Sequence, residues 1–384
     1  MYDQLRIVFV TNNYTPYSGG VVSSINAWTQ ELQNRGHQVS IITLDFLGAA
    51  HNDPDYVFRI PCPIRFLYKN NHMALPMRAY THMRKLIEQL QPNIIHSHHP
   101  FLLGRAALKS ACNQSIPIVF TYHSLYEQWT HVIPLPQLLT RPLIKSYVRH
   151  YCKKVDGIIA PSSIVKKNLQ NQGIECPMEV IPSCLQSVFS PRDSFYPKIR
   201  SADQPFHLFS VTRCSKEKNP FFLLELIAAL NHVDKSFKMT IAGYGTLWKS
   251  MHVYAYETLK LTPDQLKFVH QPSKEHIANL YREADLFIFS SQVDTQGLVL
   301  AESMAAGTPV IALDGPGQQD IVKDSINGFI VKDLQEMIEK VLLIAHDITM
   351  HEKMQQKAWH TAHNYKPEIL IPRLLAFYKS ILEG

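Results

Sequence analysis

Two acidic residues stand eight positions apart in Asp294-Thr295-Gln296-Gly297-Leu298-Val299-Leu300-Ala301-Glu302. The segment reads as a strand end, a glycine-containing loop and a helix of small residues that leaves through Gly307-Thr308-Pro309. A turn at Gly297 brings backbone amides to the helix start, where amides and dipole favour an anion. Two carboxylates on such a unit can divide labour between hydroxyl groups of one ligand. The alternative is a helix-capping Asp294 and an unrelated Glu302. Upstream, Arg213 and Lys218 lie five apart at another strand-to-helix turn. Two cations there can neutralise a diphosphate and stabilise it as a leaving group, or they form a solvated charge cluster. Gly243-Tyr244-Gly245 is a further glycine turn after a strand.

The first half carries similar turns. Thr11–Gly20 joins a strand to a helix and ends in Gly19-Gly20, which lets backbone amides approach an anion or simply makes a tight turn. It is not a Gly-x-Gly-x-x-Gly dinucleotide fingerprint, and no acidic residue follows in the expected place. His96-Ser97-His98-His99 ends another strand. Three imidazoles invite a zinc reading, but no fourth ligand is identifiable from the spacing, so no metal is expected. His123, in Thr121-Tyr122-His123-Ser124-Leu125-Tyr126, ends the next strand and can hydrogen-bond a substrate hydroxyl or serve structure alone.

These loops need strands that end together. The chain alternates short apolar runs with helical segments, the pattern of parallel sheets with crossover helices. Strands are expected at Arg6–Val10, Val39–Leu44, Asn93–His96, Ile116–Tyr122 and Gly157–Ala160, with helices at Val21–Arg35, Met73–Leu90, Phe101–Cys112, Leu138–Lys153 and Ser163–Gln172. Four prolines between Ile181 and Pro205 mark a linker. A second alternating series begins at Phe206 and closes with a helix at Pro367–Leu382 that has no following strand. The fold class is α/β, with two doubly wound parallel-sheet domains facing a cleft. The expected bounds are 1–185, a linker at 186–205, a second domain at 206–364 and a C-terminal helix at 365–384.

Composition removes other classes. With 384 residues, 46% of them hydrophobic, the chain can fill two cores and is not disordered. No apolar run has the roughly 18–20 residues of a membrane span, and Met1–Arg6 does not open a signal peptide, so a cytoplasmic protein is expected. Six scattered cysteines contain no Cys-x-x-Cys pair and are expected as free thiols. The net charge of +6 is uneven: residues 1–200 hold 20 Lys+Arg against 11 Asp+Glu (+9), residues 201–384 hold 18 against 21 (−3). Basic residues are not interleaved with aromatics as in a nucleic-acid module, so nucleic acid is not an expected partner.

Taken together, these residues resemble the retaining, nucleotide-sugar-dependent glycosyltransferases of family 4, whose GT-B fold has two Rossmann-like domains. Asp294–Val310 resembles the family's Glu-x7-Glu signature. Gly19-Gly20-Val21, Thr121-Tyr122-His123, Arg213 with Lys218, Gly243-x-Gly245 and Gly307-Thr308-Pro309-Val310 extend the resemblance over the whole chain. His98-His99-Pro100-Phe101-Leu102-Leu103-Gly104 and Tyr122–Tyr126 look most like diacylglycerol glucosyltransferases, with phosphatidylinositol mannosyltransferases close behind.

The resemblance implies that Arg213 and Lys218 bind the donor diphosphate, Glu302 holds the ribose hydroxyls, and Asp294 and His123 contact the transferred sugar. Amides near Gly297 and Leu298 would help hold sugar and phosphate. Gly19 and Gly20 would reach the phosphate and acceptor, and Gly243 and Gly245 would belong to the donor site. The last helix would cross back onto domain one. No cofactor or metal is obligatory, and Asp53-Pro54-Asp55 is a chance match to the Asp-x-Asp motif of the other glycosyltransferase fold. The implied donor is a UDP-sugar, with a GDP-sugar as the other candidate. The chain departs from the family in having Asp294 for Glu, shortening reach by about one C–C bond, ~1.5 Å. It departs again in Pro182-Ser183-Cys184-Leu185-Gln186, which lacks the usual Gly and Asp.

The basic half would face a lipid or glycan acceptor. Arg141, Lys145, Arg149 and Lys153 recur every four residues on one helix among Leu138, Leu139 and Leu143. Such a helix can lie on an anionic membrane, gaining about 1 kcal/mol per basic residue, or pack on its own domain with a solvated basic face. The expected activity is hexosyl transfer, with glucose from UDP-glucose to diacylglycerol as the leading form and peripheral membrane attachment. The competing readings are polysaccharide or lipopolysaccharide assembly, a non-catalytic nucleotide-sugar-binding scaffold, and an NAD-dependent oxidoreductase, which lacks its fingerprint.

Overall fold

A computed structural model describes residues 4–16, 19–48, 53–68, 71–126, 137–201 and 204–384. Two units emerge, one of Met1–Cys184 with Pro367–Gly384 and one of Leu185–Lys366. Residues 186–205, expected as a linker, group with the second unit and include a 3-10 turn at Ser187–Phe189 whose Phe189 is buried there.

The first unit runs β1 (Arg6–Val10), α1 (Gly20–Asn34), β2 (Gln38–Leu44), β3 (Val57–Ile60), β4 (Ile64–Tyr68), β5 (Asn71–Leu75), α2 (Ala79–Leu90), β6 (Ile94–Ser97), α3 (Leu103–Gln114), β7 (Ile118–Thr121), α4 (Gln137–Cys152), β8 (Gly157–Ala160), α5 (Ser163–Asn171) and β9 (Met178–Val180). Seven strands pair in parallel in the order β3-β2-β1-β6-β7-β8-β9. Their central runs are buried on both faces, which is why they read as unbroken apolar stretches rather than alternating ones.

The helix expected over Met73–Leu90 is corrected. Residues through Leu75 pair antiparallel with β4, and the helix begins only at Ala79. Pro76 is the physical reason, because a residue before proline is pushed to extended backbone. Strands β3, β4 and β9 were not anticipated. Asp53 of the Asp-x-Asp string receives Arg59 Nε at 2.5 Å and Nη2 at 3.0 Å, a structural ion pair.

The second unit runs β10 (Phe206–Arg213), α6 (Pro220–Val233), β11 (Phe237–Tyr244), α7 (Trp248–Val253), β12 (Leu266–His270), α8 (Lys274–Glu283), β13 (Leu286–Phe289), α9 (Leu298–Ala305), β14 (Val310–Leu313), β15 (Gly328–Val331), α10 (Leu334–His346) and α11 (Ile348–Ala362). Its six strands are parallel in the order β12-β11-β10-β13-β14-β15. Helices α10 and α11 also escaped the sequence reading; both open on an aspartate, Asp333 or Asp347, that accepts an amide of the first turn.

The closing helix, α12 (Pro367–Glu383), belongs to the first unit. Leu370, Ile371, Leu374 and Tyr378 are buried with Ile7, Phe9, Ile25 and Trp28. Each such burial is worth about 1.5–3 kcal/mol, so together they outweigh the ~3 kcal/mol that Pro372 costs inside the helix. Gly157 makes room: a Cβ there would stand 2.8 Å from Ile381 Cδ1 and 2.9 Å from Phe377 Cζ.

Candidate active site

Strand order reverses between β10 and β13 in the second sheet, and ligands of open parallel sheets sit at the carboxyl ends of strands at such reversals. The reversal brings together two loops distant in sequence. Lys218 closes the 3-10 turn Lys216–Lys218 after β10, and Asp294 lies in the loop after β13. Lys218 Nζ stands 2.6 Å from Asp294 Oδ1. Ser290 Oγ donates to the Lys218 carbonyl at 3.0 Å, tying the loops at a second point. The other carboxylate oxygen of Asp294, Oδ2, is buried and accepts no hydrogen bond among the described residues. Arg213 is half-buried at the end of β10.

Gly297 precedes α9 with φ +67°, a left-handed conformation that only glycine holds cheaply, and Leu298 opens the helix. Glu302 lies on the next turn, where the Tyr281 hydroxyl donates to its Oε2 at 3.1 Å. Burial pushes the Glu302 carboxyl up to about 7, against the opposing pull of Tyr281 and Lys274. Glu302 also lines a cavity of about 170 Å³ with Tyr281, Gly307, Thr308, Phe189 and Trp359. Gly243 and Gly245 serve the neighbouring strand end. A Cβ on Gly243 would meet the Thr212 carbonyl oxygen at 1.9 Å, and one on Gly245 the Cys214 oxygen at 2.3 Å. Both glycines therefore seat β11 against the backbone that carries Arg213.

In the first sheet the reversal falls between β1 and β6. Gly19 is extended, and a Cβ on Gly20 would meet nothing within 4 Å; Tyr17 and Ser18 lie outside the described residues. The Asn12 amide donates to His99 Nδ1 at 3.2 Å. His96 is enclosed, its Nδ1 2.6 Å from the Tyr378 hydroxyl and its Nε2 2.6 Å from Thr121 Oγ1. His98 Nδ1 lies 2.8 Å from His123 Nε2. His96 stacks on His98 with ring centroids 4.3 Å apart, and His98 meets His123 edge to edge with centroids 5.1 Å apart. Burial holds all four imidazoles below their ordinary range, His99 at about 4 and His123 at about 3. Among the described residues no three His, Cys, Asp or Glu side chains gather as a metal site.

Helix α4 presents Arg141, Lys145 and Arg149 to solvent, with Lys153 just past its end. Leu138, Leu139 and Leu143 are 86%, 63% and 69% exposed on the same helix, so they are not part of its packed face. Val148, Tyr151 and Cys152 are, within the first core. No described helix is long and apolar enough to cross a membrane.

Three contacts were invisible in the sequence. Tyr281 reaches Glu302 from the preceding helix, Tyr378 reaches His96 across 282 positions, and His98 reaches His123 across 25. None leaves a local spacing signal. Gly104 did sit in a quoted motif, and its part is now plain: a Cβ there would stand 1.7 Å from the His99 carbonyl oxygen.

Two parallel-sheet α/β units, the second with a cation–carboxylate pair at its strand reversal, have the GT-B fold of glycosyltransferases. The family model described as Glycosyltransferase Family 4 matches residues 18–185, and that described as Glycosyl transferases group 1 matches residues 192–361. The chain belongs to glycosyltransferase family 4 and is a hexosyltransferase. It is 29% identical over 372 residues to the alpha-monoglucosyldiacylglycerol synthase of Streptococcus pneumoniae, covering 94% of this chain and 83% of that protein. The Acholeplasma laidlawii protein of the same name is 24% identical over 399 residues, covering 99% and 98%. Among solved structures, the pneumococcal O-GlcNAc transferase GtfA, in complex with UDP and GlcNAc, has the same fold at TM-score 0.75 and 13% identity, covering 98% of this chain and 99% of that one.

Proposed function

We propose that this enzyme transfers glucose from UDP-glucose to diacylglycerol with retention at the anomeric carbon. The observation that carries the donor half is the Lys218–Asp294 pair. An ammonium has three donor hydrogens, so Lys218 can keep Asp294 and still hold a diphosphate oxygen. The unpartnered Oδ2 of Asp294 is an acceptor suited to a sugar hydroxyl. In the proposed reaction the bond from C1 to the diphosphate oxygen breaks. The acceptor oxygen bonds C1 from the same face, and its proton passes to the departing phosphate. Lys218 and Arg213 stabilise the charge that develops on the diphosphate, while Asp294 orients the sugar. The names of the relatives in Streptococcus pneumoniae and Acholeplasma laidlawii support glucose and diacylglycerol. A screen with UDP-glucose, UDP-N-acetylglucosamine, GDP-mannose and ADP-glucose, scored by melting shift and by the anomer of the product lipid, tests the proposal. A β-linked product, or a shift confined to GDP-mannose, overturns it.

The exposed leucines of α4 beside Arg141, Lys145 and Arg149 support attachment to an anionic bilayer. Vesicles of phosphatidylglycerol are expected to sediment the protein at low salt, and phosphatidylcholine vesicles are not. Replacing the three leucines by serine should release it even at low salt. Equal binding to both vesicle types rules this attachment out.

Glu302 gives the donor site a pH dependence. Its carboxyl ionises near 7 rather than in the ordinary carboxylate range, so the free fold is favoured by protonation. The stability this contributes is complete below the unfolded value and lost as pH rises through about 7. Ribose hydroxyls need the carboxylate, so UDP affinity moves the other way. Calorimetry should find UDP binding about tenfold tighter at pH 8 than at pH 6, because one proton must leave below the raised value. Glu302→Gln should abolish that slope.

A further inference from the structure

We infer that Leu102 is a specificity-determining residue for the acceptor, its side chain presented by a strained turn so that it meets the acyl-glycerol part of a lipid. The inference rests on the proposed diacylglycerol acceptor and names a residue that selects it.

Leu102 occupies a glycine position. Its φ of +47° comes with a ψ of −103°. The helix-flanking residues Arg78, Gln91, Ser115 and Asn219 also have positive φ, but their ψ values lie between 36° and 55°, in the ordinary left-handed well. Leu102 lies outside that well. The Gly104 amide donates to the Phe101 carbonyl at 2.9 Å, which makes Leu102 the second residue of a four-residue turn. Its angles are near the type II′ values for that place, about +60° and −120°, which glycine holds. A leucine there is strained. Such strain persists only where the surroundings over-determine it, and it gathers at ligand sites.

The surroundings do over-determine it. Asn12 Nδ2 donates to the Phe101 carbonyl, and Asn12 Oδ1 accepts the Leu103 amide, both at 3.1 Å. The Phe101 ring stacks on Tyr147 with centroids 5.1 Å apart, and Leu103 is fully buried. The residues on either side are therefore fixed, while Leu102 itself stays 42% exposed. Full burial of the side chain does not offset the strain.

The place of the turn points to the ligand. Asn12 follows β1 and Leu102 follows β6, the two strands between which the first sheet reverses, and ligands of open parallel sheets sit outside such a point. Helix α4 packs on the same turn, where the Tyr147 hydroxyl donates to the Pro100 carbonyl at 3.2 Å. Leu143, four residues before Tyr147 and so on the same helix face, is exposed. The side chain of Leu102 has no polar atom to hold a sugar or a phosphate. Its exposed surface suits an acyl chain or glycerol carbons.

The test uses dioctanoylglycerol in detergent micelles, so that bilayer attachment plays no part. Leu102→Ala and Leu102→Gly should each raise the KM for dioctanoylglycerol about fivefold, the loss expected from the part of a leucine still open to burial. The kcat and the dissociation constant of UDP, read by calorimetry, should stay within twofold. Leu102→Met, apolar and of similar volume, should keep the wild-type KM. The melting temperatures test the strain separately. Leu102→Gly should melt about 2–4 °C above Leu102→Ala, because only glycine relaxes the backbone; at an ordinary helix start the order would be reversed. An unchanged KM in Leu102→Gly, or a rise shared equally by UDP, overturns the role on the acceptor. A Leu102→Gly protein that melts below Leu102→Ala overturns the strained presentation. A wild type that does not glycosylate dioctanoylglycerol overturns instead the acceptor reading on which the inference rests.

Discussion

Replacing Lys218 by alanine is expected to lower kcat/KM for hexosyl transfer by about 100- to 1,000-fold, the loss typical of removing one preorganised donor from a developing negative charge. Two effects act together. The diphosphate loses a cation at the moment its bond to C1 breaks. Asp294, whose Oδ1 lies 2.6 Å from Lys218 Nζ, loses its counter-charge while its Oδ2 has no protein donor. The two residues should therefore be strongly non-additive: Asp294→Asn should cost less in the Lys218→Ala background than alone. Lys218→Arg keeps the charge but cannot reproduce a point ammonium at that distance, so partial activity is expected. Steady-state kinetics on the four variants, with melting temperatures to exclude unfolding, decide the matter. A Lys218→Ala enzyme within twofold of wild type would mean the pair is structural only.

Gly104→Ala should be the most damaging single methyl in the first unit. The added carbon would stand 1.7 Å from the His99 carbonyl oxygen and 2.8 Å from its carbon, so backbone must move. Nor can the helix retreat freely, since the Tyr151 hydroxyl shares its one proton between Ser97 Oγ at 2.9 Å and the Gly104 carbonyl at 3.3 Å. Overpacking against backbone costs about 3 kcal/mol, a fall of about 10 °C in the melting of a unit this size. Gly20→Ala is the matched control: its new carbon meets nothing within 4 Å, and alanine gains up to about 1 kcal/mol of helix propensity over glycine. Scanning calorimetry should move the two variants in opposite directions. Indistinguishable melts would show that the loop of His98 and His99 yields easily.

The two cases separate what a chain reveals locally from what it does not. Lys218 and Asp294 were each conspicuous, because a cation at a strand-to-helix turn and an acid before a glycine-led helix are local patterns. That they touch was not, since it follows from β10 and β13 being neighbours at the strand reversal. The glycines divide in the same way. Gly297 announces a left-handed turn by its position before α9, whereas the close backbone approach that Gly243 and Gly245 permit at the neighbouring strand end shows only in the fold. Asp294 in place of the usual glutamate was legible as a shortened reach. Only the fold shows the short side chain engaged with Lys218.

Motifs in the sequence carried the resemblance to the family, and by itself the sequence also determined the two-unit α/β plan and the positions of most strands and helices. These depend on period, turn chemistry and spacing, all properties of neighbours along the chain. It erred where a proline cut a helical period at Pro76, and passed over short edge strands whose pairing partner supplies most of their stability. The tertiary structure alone decided which side chains meet: Tyr281 with Glu302, Tyr378 with His96, His98 with His123. The physical reason is one of range. A strand or a cap is settled within a few residues, whereas the burial that raises a carboxyl, or the meeting of an ion pair, is set by groups brought together from anywhere in the fold.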